Sequence, residues 1–595
     1  MAASTPSQKR SQRSNNLILQ SPLTLFNTEK IMDIRKTLLW AIFTISAILL
    51  FDAWQQHNGQ GSFFSKPNVE AQQAITTKDL ATTSAPKNDL PKAAVAAPAP
   101  ASAPTLFVPN KTGEIITLKN DVITLEIDTL GGVISKAQLT KHLEEDKSGV
   151  LIFERSKARQ YYARSGLVSA SGVELPNHTQ IFSVSKNSVG NSVTLVAEKN
   201  GVRLEKMLTL ENGSYVVEAK HTIKNLSNSA VDLTLYAELV RDNGKLEESM
   251  FYATFTGPAL YTDAEKFQKI DFSDIEKNKA KLPGTQQKDS PTWIAIVQHY
   301  FASAWIPSNS FQKDLYVDRL ENNQFRIGVK SKLETLGAGQ EKTDTLKLFV
   351  GPQEEQVLEK IAPGLELVKD YGWFTILAKP IFWLLEKIHA LVNNWGWSII
   401  FLTILIKLAF FPLSAASYKS MARMKLVQPK VLELKDRYKG EPQKLNQAMM
   451  EMYRKEKINP LGGCFPVLIQ IPVFIALYWV LLSSVEMRGA PWLGWIQDLS
   501  KPDTLFGAYK IAGTIVPIGL LPILMAVSMF IQTKLNPTPP DPLQAKLMMF
   551  MPLAFSVMFF FFPSGLVLYW VVNNILSIAQ QWQINKIYGE AKKPA

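Results

Sequence analysis

Apolar and polar positions alternate along the part of the chain between residues 105 and 365. Apolar residues fill every second position at 123–127 and again at 231–239, which is the period of a strand with one buried face. Further short apolar runs are separated by Asn/Gly turns such as 211–214. The pattern predicts a large antiparallel β-sandwich over residues 105–365.

Long uncharged runs replace this alternation beyond residue 366. Two of them, 28 and 23 residues long, can each cross a bilayer as a helix, and a 39-residue run is divided by Pro563-Ser564-Gly565 into two helices. The fold class predicted is a polytopic α-helical membrane protein with a periplasmic β-sandwich. Its six transmembrane helices are expected at 38–54, 395–413, 458–485, 511–533 and the two halves of 547–585.

The remaining segments connect these parts. Residues 1–31 are polar and basic and predict a disordered extension, while the Ala/Pro-rich residues 55–104 predict a flexible linker. Residues 32–54 have the basic start of a signal peptide without a small-residue cleavage site, so they predict an uncleaved anchor. Residues 366–394 mix aromatic and charged side chains, which favours an interfacial amphipathic helix before the helical core at 395–585.

Basic residues between the predicted spans indicate the orientation. Residues 414–457 carry 11 Lys/Arg against 5 Asp/Glu, and the tail 586–595 carries three lysines. By the positive-inside rule, both termini and 414–457 lie in the cytoplasm, and the β-sandwich lies in the periplasm of a Gram-negative cell. Apolar steps of three and four predict a helical hairpin at 414–457. Its basic face either only enforces topology or docks RNA-rich or acidic partners.

Composition removes several classes of function. The chain has 595 residues, a net charge of +12 and one cysteine, Cys464, which excludes an internal disulfide framework and a multi-cysteine metal site. Its six histidines are scattered, and neither GxxxxGK[ST] nor GxGxxG occurs. We therefore predict no cofactor, no metal and no specific DNA partner.

Lys407 is the most informative single residue. It is the only charged residue between Lys387 and Lys419 and lies inside a predicted span, where a charge costs roughly 3 kcal/mol on insertion scales. The predicted spans hold no acid to pair with it, which predicts a water-filled cavity open to the cytoplasm; snorkelling to the headgroups is the alternative. The polar residues that the spans do offer are Thr403, Ser414, Gln470, Gln532, Asn573 and Asn574.

Several motifs together resemble the YidC family of membrane protein insertases. They are Tyr371-Gly-Trp373, Asn394-Trp-Gly-Trp-Ser-Ile-Ile, Lys407 followed by Phe411-Pro-Leu, Asn459-Pro-Leu-Gly-Gly-Cys-Phe-Pro466, Asp541-Pro and Phe562-Pro-Ser-Gly-Leu-Val-Leu-Tyr569. The resemblance covers residues 365–585 closely and the anchor and β-domain more loosely. It implies a protein that is not an enzyme but inserts newly made membrane proteins. The partners implied are nascent membrane proteins, the ribosome and targeting machinery, the Sec translocon and membrane lipids.

The resemblance also implies a hydrophilic groove that receives the polar part of the substrate. Lys407 matches the positive groove residue of the family, although many members have arginine there, and Thr403 matches a groove-facing threonine. Tyr569 and Trp570 fall where the family often has two tyrosines, so one phenol is missing. Further groove polarity is expected from Gln470 and Asn573, and the substrate's apolar helix is expected to slide along spans three and five past Ile471, Pro472 and Phe474.

Two other classes of function are less consistent with the residues. An ion-coupled transporter would show inverted repeats and usually a buried carboxylate, and neither is visible. A Ser–Lys hydrolase would need Ser414 beside Lys407, but seven residues of straight helix separate them by roughly 10 Å. Because the chemistry is assigned to residues 373–585, deletion of most of 105–340 is expected to leave measurable insertion.

Overall fold

The computed structural model describes residues 113–589 except 145, 186–189, 245–253, 457, 459–464, 512–513 and 537–541. The predicted extension 1–31, anchor 32–54, linker 55–104 and most of the tail 586–595 lie outside the described residues.

The first half of the described chain is a β-sandwich of two antiparallel sheets. Eight strands form one sheet in the order β1-β2-β3-β4-β5-β10-β16-β15, and nine form the other in the order β12-β11-β13-β14-β17-β9-β8-β7-β6. The strands are β1 (Ile115–Lys119), β2 (Ile123–Asp128), β3 (Val133–Leu143), β4 (Gly149–Arg155), β5 (Gln160–Val168), β6 (Ser183–Val184), β7 (Ser192–Lys199), β8 (Val202–Leu210), β9 (Val216–Asn225), β10 (Thr234–Asp242), β11 (Gly257–Thr262), β12 (Lys266–Lys269), β13 (Thr292–Val297), β14 (Phe301–Ile306), β15 (Gln312–Arg319), β16 (Gln324–Lys332) and β17 (Glu341–Pro352).

The alternation in the sequence places the core between the two sheets. Ile123, Leu125 and Ile127 are fully buried, as are Leu235 and Leu239 on the central strand β10, and all five belong to one apolar cluster. The polar residues between them face the other way, as period-two alternation requires. The prediction of an antiparallel β-sandwich is confirmed.

Helices form most of the second half. They are α1 (Phe272–Glu276), within the sandwich, and then α2 (Glu355–Ile361), α3 (Thr375–Val392), α4 (Trp395–Ala409), α5 (Phe411–Arg437), α6 (Pro442–Lys455), α7 (Phe465–Ser483), α8 (Leu520–Leu535), α9 (Pro542–Met558) and α10 (Ser564–Gly589). A two-stranded sheet, β18 (Ala508–Ile511) with β19 (Thr514–Pro517), interrupts them.

Two helix boundaries differ from the sequence-based expectation. The helix expected over 395–413 ends at Ala409, and the chain continues as α5 after a bend of 68°. Pro412 explains the bend, because it has no N–H for the Leu408 carbonyl and its ring crowds that oxygen. The helix expected over 511–533 begins only at Leu520, because the residues before it pair as β18 and β19.

Length and apolar composition of the helices give a mixed picture for membrane crossing. Among the described residues, no single helix is both long enough and apolar enough to cross a bilayer. The bent pair α4 and α5 meets both conditions jointly, while α8 and the part of α7 from Gln470 onward are apolar but shorter.

A short turn after α7 joins the helices to the β-sandwich. Val485 is buried in the sandwich core, whereas Met487, two residues later, is buried in the helical core. Between them, Glu486 accepts hydrogen bonds from the buried ammonium of Lys369 at 3.1 and 3.2 Å. Arg488 donates to the Leu143 carbonyl at 2.8 Å, at the end of β3. Apolar and polar contacts therefore attach this turn to both the β-sandwich and the helices.

Candidate functional site

A cleft lined by both polar and apolar residues lies at the bend between α4 and α5. It encloses about 350 Å³ of empty space, its open mouth included. Residues from α4, α5 and the bend line one side, and residues from α7 and α10 line the other. The lining consists of Ile406, Lys407, Phe410, Leu413, Ser414, Gln470, Val473 and Asn573.

Lys407 anchors a hydrogen-bond network across three helices. Its ammonium donates to the Ser577 hydroxyl at 2.7 Å, and that hydroxyl donates to the Asn573 carbonyl at 2.7 Å. The Gln470 amide donates to the Asn573 side-chain oxygen. The network joins α4, α10 and α7, and it leaves two of the three ammonium hydrogens of Lys407 outside the bond to Ser577.

The charge of Lys407 is balanced by dipoles. In the part of the chain that the structure describes, no carboxylate forms an ion pair with it, and its hydrogen-bond partner is a hydroxyl. Because α4 ends at Ala409, Lys407 lies in the last helical turn, where the negative end of the helix dipole favours a cation. The bend therefore lowers the cost of placing an ammonium in an apolar region.

Three residues expected in the groove are not among those that line the cleft. Thr403 is buried, and its hydroxyl donates to the Ile399 carbonyl of its own helix at 2.6 Å. Tyr569 is buried in the helical core, and Trp570 is half-buried at the edge of that core. Tyr569 nevertheless reaches the cleft residue Gln470 through a side-chain hydrogen bond, and the groove roles of all three residues stay predictions.

The three residues predicted to guide the substrate follow Gln470 on α7. Ile471 is exposed, and Pro472 is half-buried within the helix. Phe474 packs edge-on against Trp570 with ring centroids 4.2 Å apart. Ile471 is therefore exposed while Phe474 packs against the helical core, and the role of the three residues in guiding the substrate stays a prediction.

Sequence reasoning missed Ser577 and the apolar lining. Ser577 lies one helical turn after Asn573, so the i, i+4 spacing on α10 could have identified it. The apolar lining could not be predicted, because nothing in the sequence distinguishes Phe410, Leu413 and Val473 from other apolar residues in apolar helices. The neighbouring Asn574 faces away from the cleft and donates to Ser528 on α8 at 3.1 Å.

The two glycine-containing motifs form close contacts at the other end of the helices. Asn394 caps α4 by accepting a hydrogen bond from the Trp397 amide, and a Cβ on Gly396 would overlap the Trp492 ring. Gly565, in the first turn of α10, donates its amide hydrogen to the Leu499 carbonyl at 2.9 Å. The loop after α7 therefore fixes the starts of α4 and α10.

Large apolar side chains are exposed along the outer faces of the helices. On α4 they recur at helical spacing, and α8 and α9 present similar stripes. A contiguous exposed apolar surface of this kind marks contact with lipid or protein. The exposed residues are Trp397, Phe401, Leu405 and Leu408 on α4, Ile523, Leu524, Val527, Phe530 and Ile531 on α8, and Leu547, Phe550, Phe555 and Val557 on α9.

Comparison with known proteins assigns the family. The model of the YidC periplasmic domain matches residues 115–384, and that of the 60Kd inner membrane protein matches residues 387–592. A membrane protein insertase YidC of Cupriavidus taiwanensis is 56% identical over 574 residues, which cover 94% of this chain and 99% of that protein. One of Ralstonia nicotianae is 54% identical and covers 95% of this chain and 100% of its own. The chain belongs to the YidC family of membrane protein insertases.

The two YidC family models divide the chain inside α3. The periplasmic-domain model ends at residue 384 and the second model begins at 387. Among solved structures, an active YidC insertase with its first transmembrane domain resolved is 18% identical. It covers 79% of this chain and 92% of its own, with a TM-score of 0.37.

Proposed function

We propose that this chain inserts newly synthesised proteins into the bacterial inner membrane, with the cleft at Lys407 receiving the polar segment of the substrate. The observation that supports this is a lysine placed between apolar helices and held by a hydroxyl rather than by an acid. A cation with spare donors offers hydrogen bonds to carboxylate and carbonyl oxygens. It therefore lowers the cost of bringing such groups to the depth of the cleft.

The driving force lies in the apolar part of the substrate. Each buried CH₂ group contributes about 0.8 kcal/mol, so a helix of roughly twenty apolar residues outweighs a short polar tail. Membrane potential adds about 2.3 kcal/mol per 100 mV for each negative charge that moves outward. The substrate helix would leave along α7 and α9, past Ile471, Pro472 and Phe474, into lipid.

We propose the topology that the sequence predicts, with six transmembrane helices, cytoplasmic termini and the β-sandwich in the periplasm. The exposed apolar stripes on α4, α8 and α9 suit lipid contact. The basic pair α5 and α6 would then lie in the cytoplasm, with an ion pair of 2.7 Å between Lys430 on α5 and Glu456, the residue directly after α6. The ribosome and targeting machinery are the partners proposed for it, with the Sec translocon and lipids as partners within the membrane.

A Ser–Lys hydrolase is the alternative that the geometry tests most directly. Ser414 and Lys407 both line the cleft at the bend, so the pair is considered again here without the assumption of a straight helix. Lys407 nevertheless donates to Ser577, whose buried hydroxyl donates its own hydrogen to the Asn573 carbonyl. The hydrogen bond of Lys407 goes to Ser577 and not to Ser414, and Ser577 itself is not positioned to attack a carbonyl carbon. This arrangement favours insertion over hydrolysis.

Photo-crosslinking tests the proposal. A photoreactive amino acid at Val473, in the cleft, should capture a ribosome-bound nascent membrane protein whose polar tail has just left the ribosome. The same amino acid at Leu524, equally apolar but on the outer face of α8, is the matched control. Capture at Leu524 and not at Val473 would contradict the use of the cleft.

A further inference from the structure

The loop between α7 and α8 presents a second exposed apolar surface. We call it the loop patch and define it by Leu493, Trp495, Leu505, Phe506, Tyr509 and Ile515. All six side chains are exposed, Ile515 by 66% and Tyr509 by 54%. Six large apolar side chains exposed in one loop indicate contact with something other than water.

A buried carboxylate holds the loop patch in place. Asp503 accepts hydrogen bonds from the Trp495 indole at 3.0 Å, the Leu505 amide at 3.1 Å and the Leu521 amide at 2.8 Å. Gly519 lies so close that a Cβ there would stand 2.4 Å from the Asp503 carbonyl oxygen. The apolar side chains are therefore presented outward by a defined scaffold.

The sheet within the loop needs additional cover. Residues of β18 and β19 pair directly, Tyr509 with Val516 and Lys510 with Ile515, so Tyr509 and Ile515 lie on opposite faces. A two-stranded sheet alone is marginally stable in water. The helical turn Phe559–Phe561 contacts β19, and Tyr509 and Ile515 remain exposed.

The position of the loop patch favours lipid as its cover. Gly565 contacts this loop at the start of α10, eight residues and about 12 Å of helix before Asn573, so the patch lies at the opposite end from the cleft. Only one charged residue, Lys510, occurs between Asp503 and Lys534. Tyrosine and tryptophan beside a lysine are typical of the membrane–water interface.

We propose that the loop patch lies in the outer-leaflet interface and that β18 and β19 act as a lipid anchor beside α8. The proposal rests on the membrane location given under the proposed function but not on the mechanism of the cleft. It also explains why the sequence reads as a membrane span from residue 511, since an interfacial sheet and a spanning helix share an apolar composition. The lipid contact fixes the depth of α8 and α10 in the membrane.

Nitroxide labelling of the full chain tests the anchor. Single cysteines are placed at Tyr509, Ile515, Phe530 and Lys220 after Cys464→Ser, and each protein is reconstituted into nanodiscs of phosphatidylethanolamine and phosphatidylglycerol. Power saturation compares collisions with oxygen, which enters lipid, and with a polar nickel chelate, which does not. The ratio at positions 509 and 515 should exceed the ratio at Lys220, an exposed strand residue of the β-sandwich, by several-fold.

Every other result of the labelling experiment contradicts one specific part of the proposal. If positions 509 and 515 match Lys220 while Phe530 on α8 reads as lipid, the anchor proposal is overturned and the membrane location stands. If Phe530 also reads as water, the membrane location itself fails. Protection of 509 and 515 from both reagents would mean that protein covers the patch, which also overturns a lipid anchor.

Discussion

At the scale of single residues, the bond between Lys407 and Ser577 describes how a charge is held among apolar helices. A hydroxyl satisfies one donor without neutralising the ammonium, so the charge stays available to a substrate. An acid in the place of Ser577 would form a pair and remove that availability. The network therefore favours a site that binds acceptor groups over one that only stabilises the fold.

The charge of Lys407 is the first prediction. Lys407→Arg should keep insertion, whereas Lys407→Ala should lower it about tenfold for a substrate with an acidic tail, corresponding to about 1.4 kcal/mol of lost interaction. A purely apolar substrate should be affected much less. Reconstitution into liposomes measures both rates. Wild-type rates for the alanine and glutamate variants with the acidic substrate would instead support the snorkelling alternative.

Ser577 gives a second prediction. Ser577→Ala removes the acceptor for Lys407 and frees the ammonium to turn towards the headgroups, while Ser577→Thr keeps a hydroxyl. We expect alanine to reduce insertion of acid-tailed substrates and threonine to retain most of it, with a difference of about 1–2 kcal/mol. Reactivity of Lys407 towards an amine reagent supplies an independent readout, because it should rise in the alanine variant alone.

Lys407 was predictable and Ser577 was not, for a physical reason. A lone charge in an apolar run costs several kcal/mol wherever the helix packs, so the sequence alone identifies it. A serine in a helix costs little, since it can bond to its own backbone. Thr403 does so here, and only the packing of α10 against α4 distinguishes the two hydroxyls.

At the scale of elements, the start of α4 depends on the absence of a side chain. Gly396 lies against the Trp492 ring, and the Trp492 carbonyl accepts a hydrogen bond from the Asn394 side chain. The sequence motif therefore encodes a contact between α4 and the loop after α7. Its glycine is required by space and not by backbone conformation, because it lies within the helix.

Gly396→Ala is accordingly the third prediction. The added methyl group would overlap the Trp492 ring, and overpacking of this kind costs about 1–3 kcal/mol. Thermal unfolding of the detergent-solubilised chain should show a lower midpoint. Adding Trp492→Ala should recover part of the loss, and a double variant less stable than both single variants would exclude this explanation.

The start of α8 could not be predicted from amino-acid composition alone. Residues 511–533 carry no charge, so a hydropathy argument assigns them to one helix. The structure instead pairs 508–511 with 514–517 and starts the helix where Asp503 accepts the Leu521 amide. That acceptor lies 18 residues away along the chain, beyond the reach of a local pattern.

At the scale of the whole molecule, the turn at 482–488 makes the β-sandwich and the helices one assembly. His299, between β13 and β14, contributes through a 2.8 Å hydrogen bond between its Nε2 and the Leu482 carbonyl. Burial, with a smaller contribution from the charge of Arg488, lowers the pKa of His299 from 6.5 to about 4, although the bond to Leu482 opposes the shift. The ring is therefore neutral at pH 7 in the docked state.

The fourth prediction follows from this shift. Undocked His299 binds a proton near pH 6.5 and docked His299 only near pH 4, so docking is strongest above pH 6.5 and weakens as the pH falls towards 4. Burial raises the pKa of Glu354 and of Glu386, and these two shifts oppose the trend that His299 causes. The distance distribution between spin labels at Lys220 and Leu524 should broaden on acidification. His299→Gln, which keeps a donor without titrating, should show less broadening.

Removal of the β-sandwich is the fifth prediction. Deleting 105–340 takes away the core around Val485 and both acceptors of Arg488, at Leu143 and Glu144. We expect a truncated chain to complement weakly, since exposing a buried valine costs about 1.5–3 kcal/mol. Val485→Ser with Arg488→Ala should improve its accumulation. A truncation that accumulates and inserts normally in the membrane yet fails to complement would show that the sandwich takes part in insertion.

The bend at Phe410 gives α5 the geometry of a lever. With 27 residues the helix extends about 40 Å from the floor of the cleft to Arg437. A rotation of about 10° at the bend would carry the far end about 7 Å, by the same helix rise. A partner bound to the distal turns would therefore exert torque on the bend beside Lys407, and this leverage would couple the docking proposed for the ribosome to the width of the cleft.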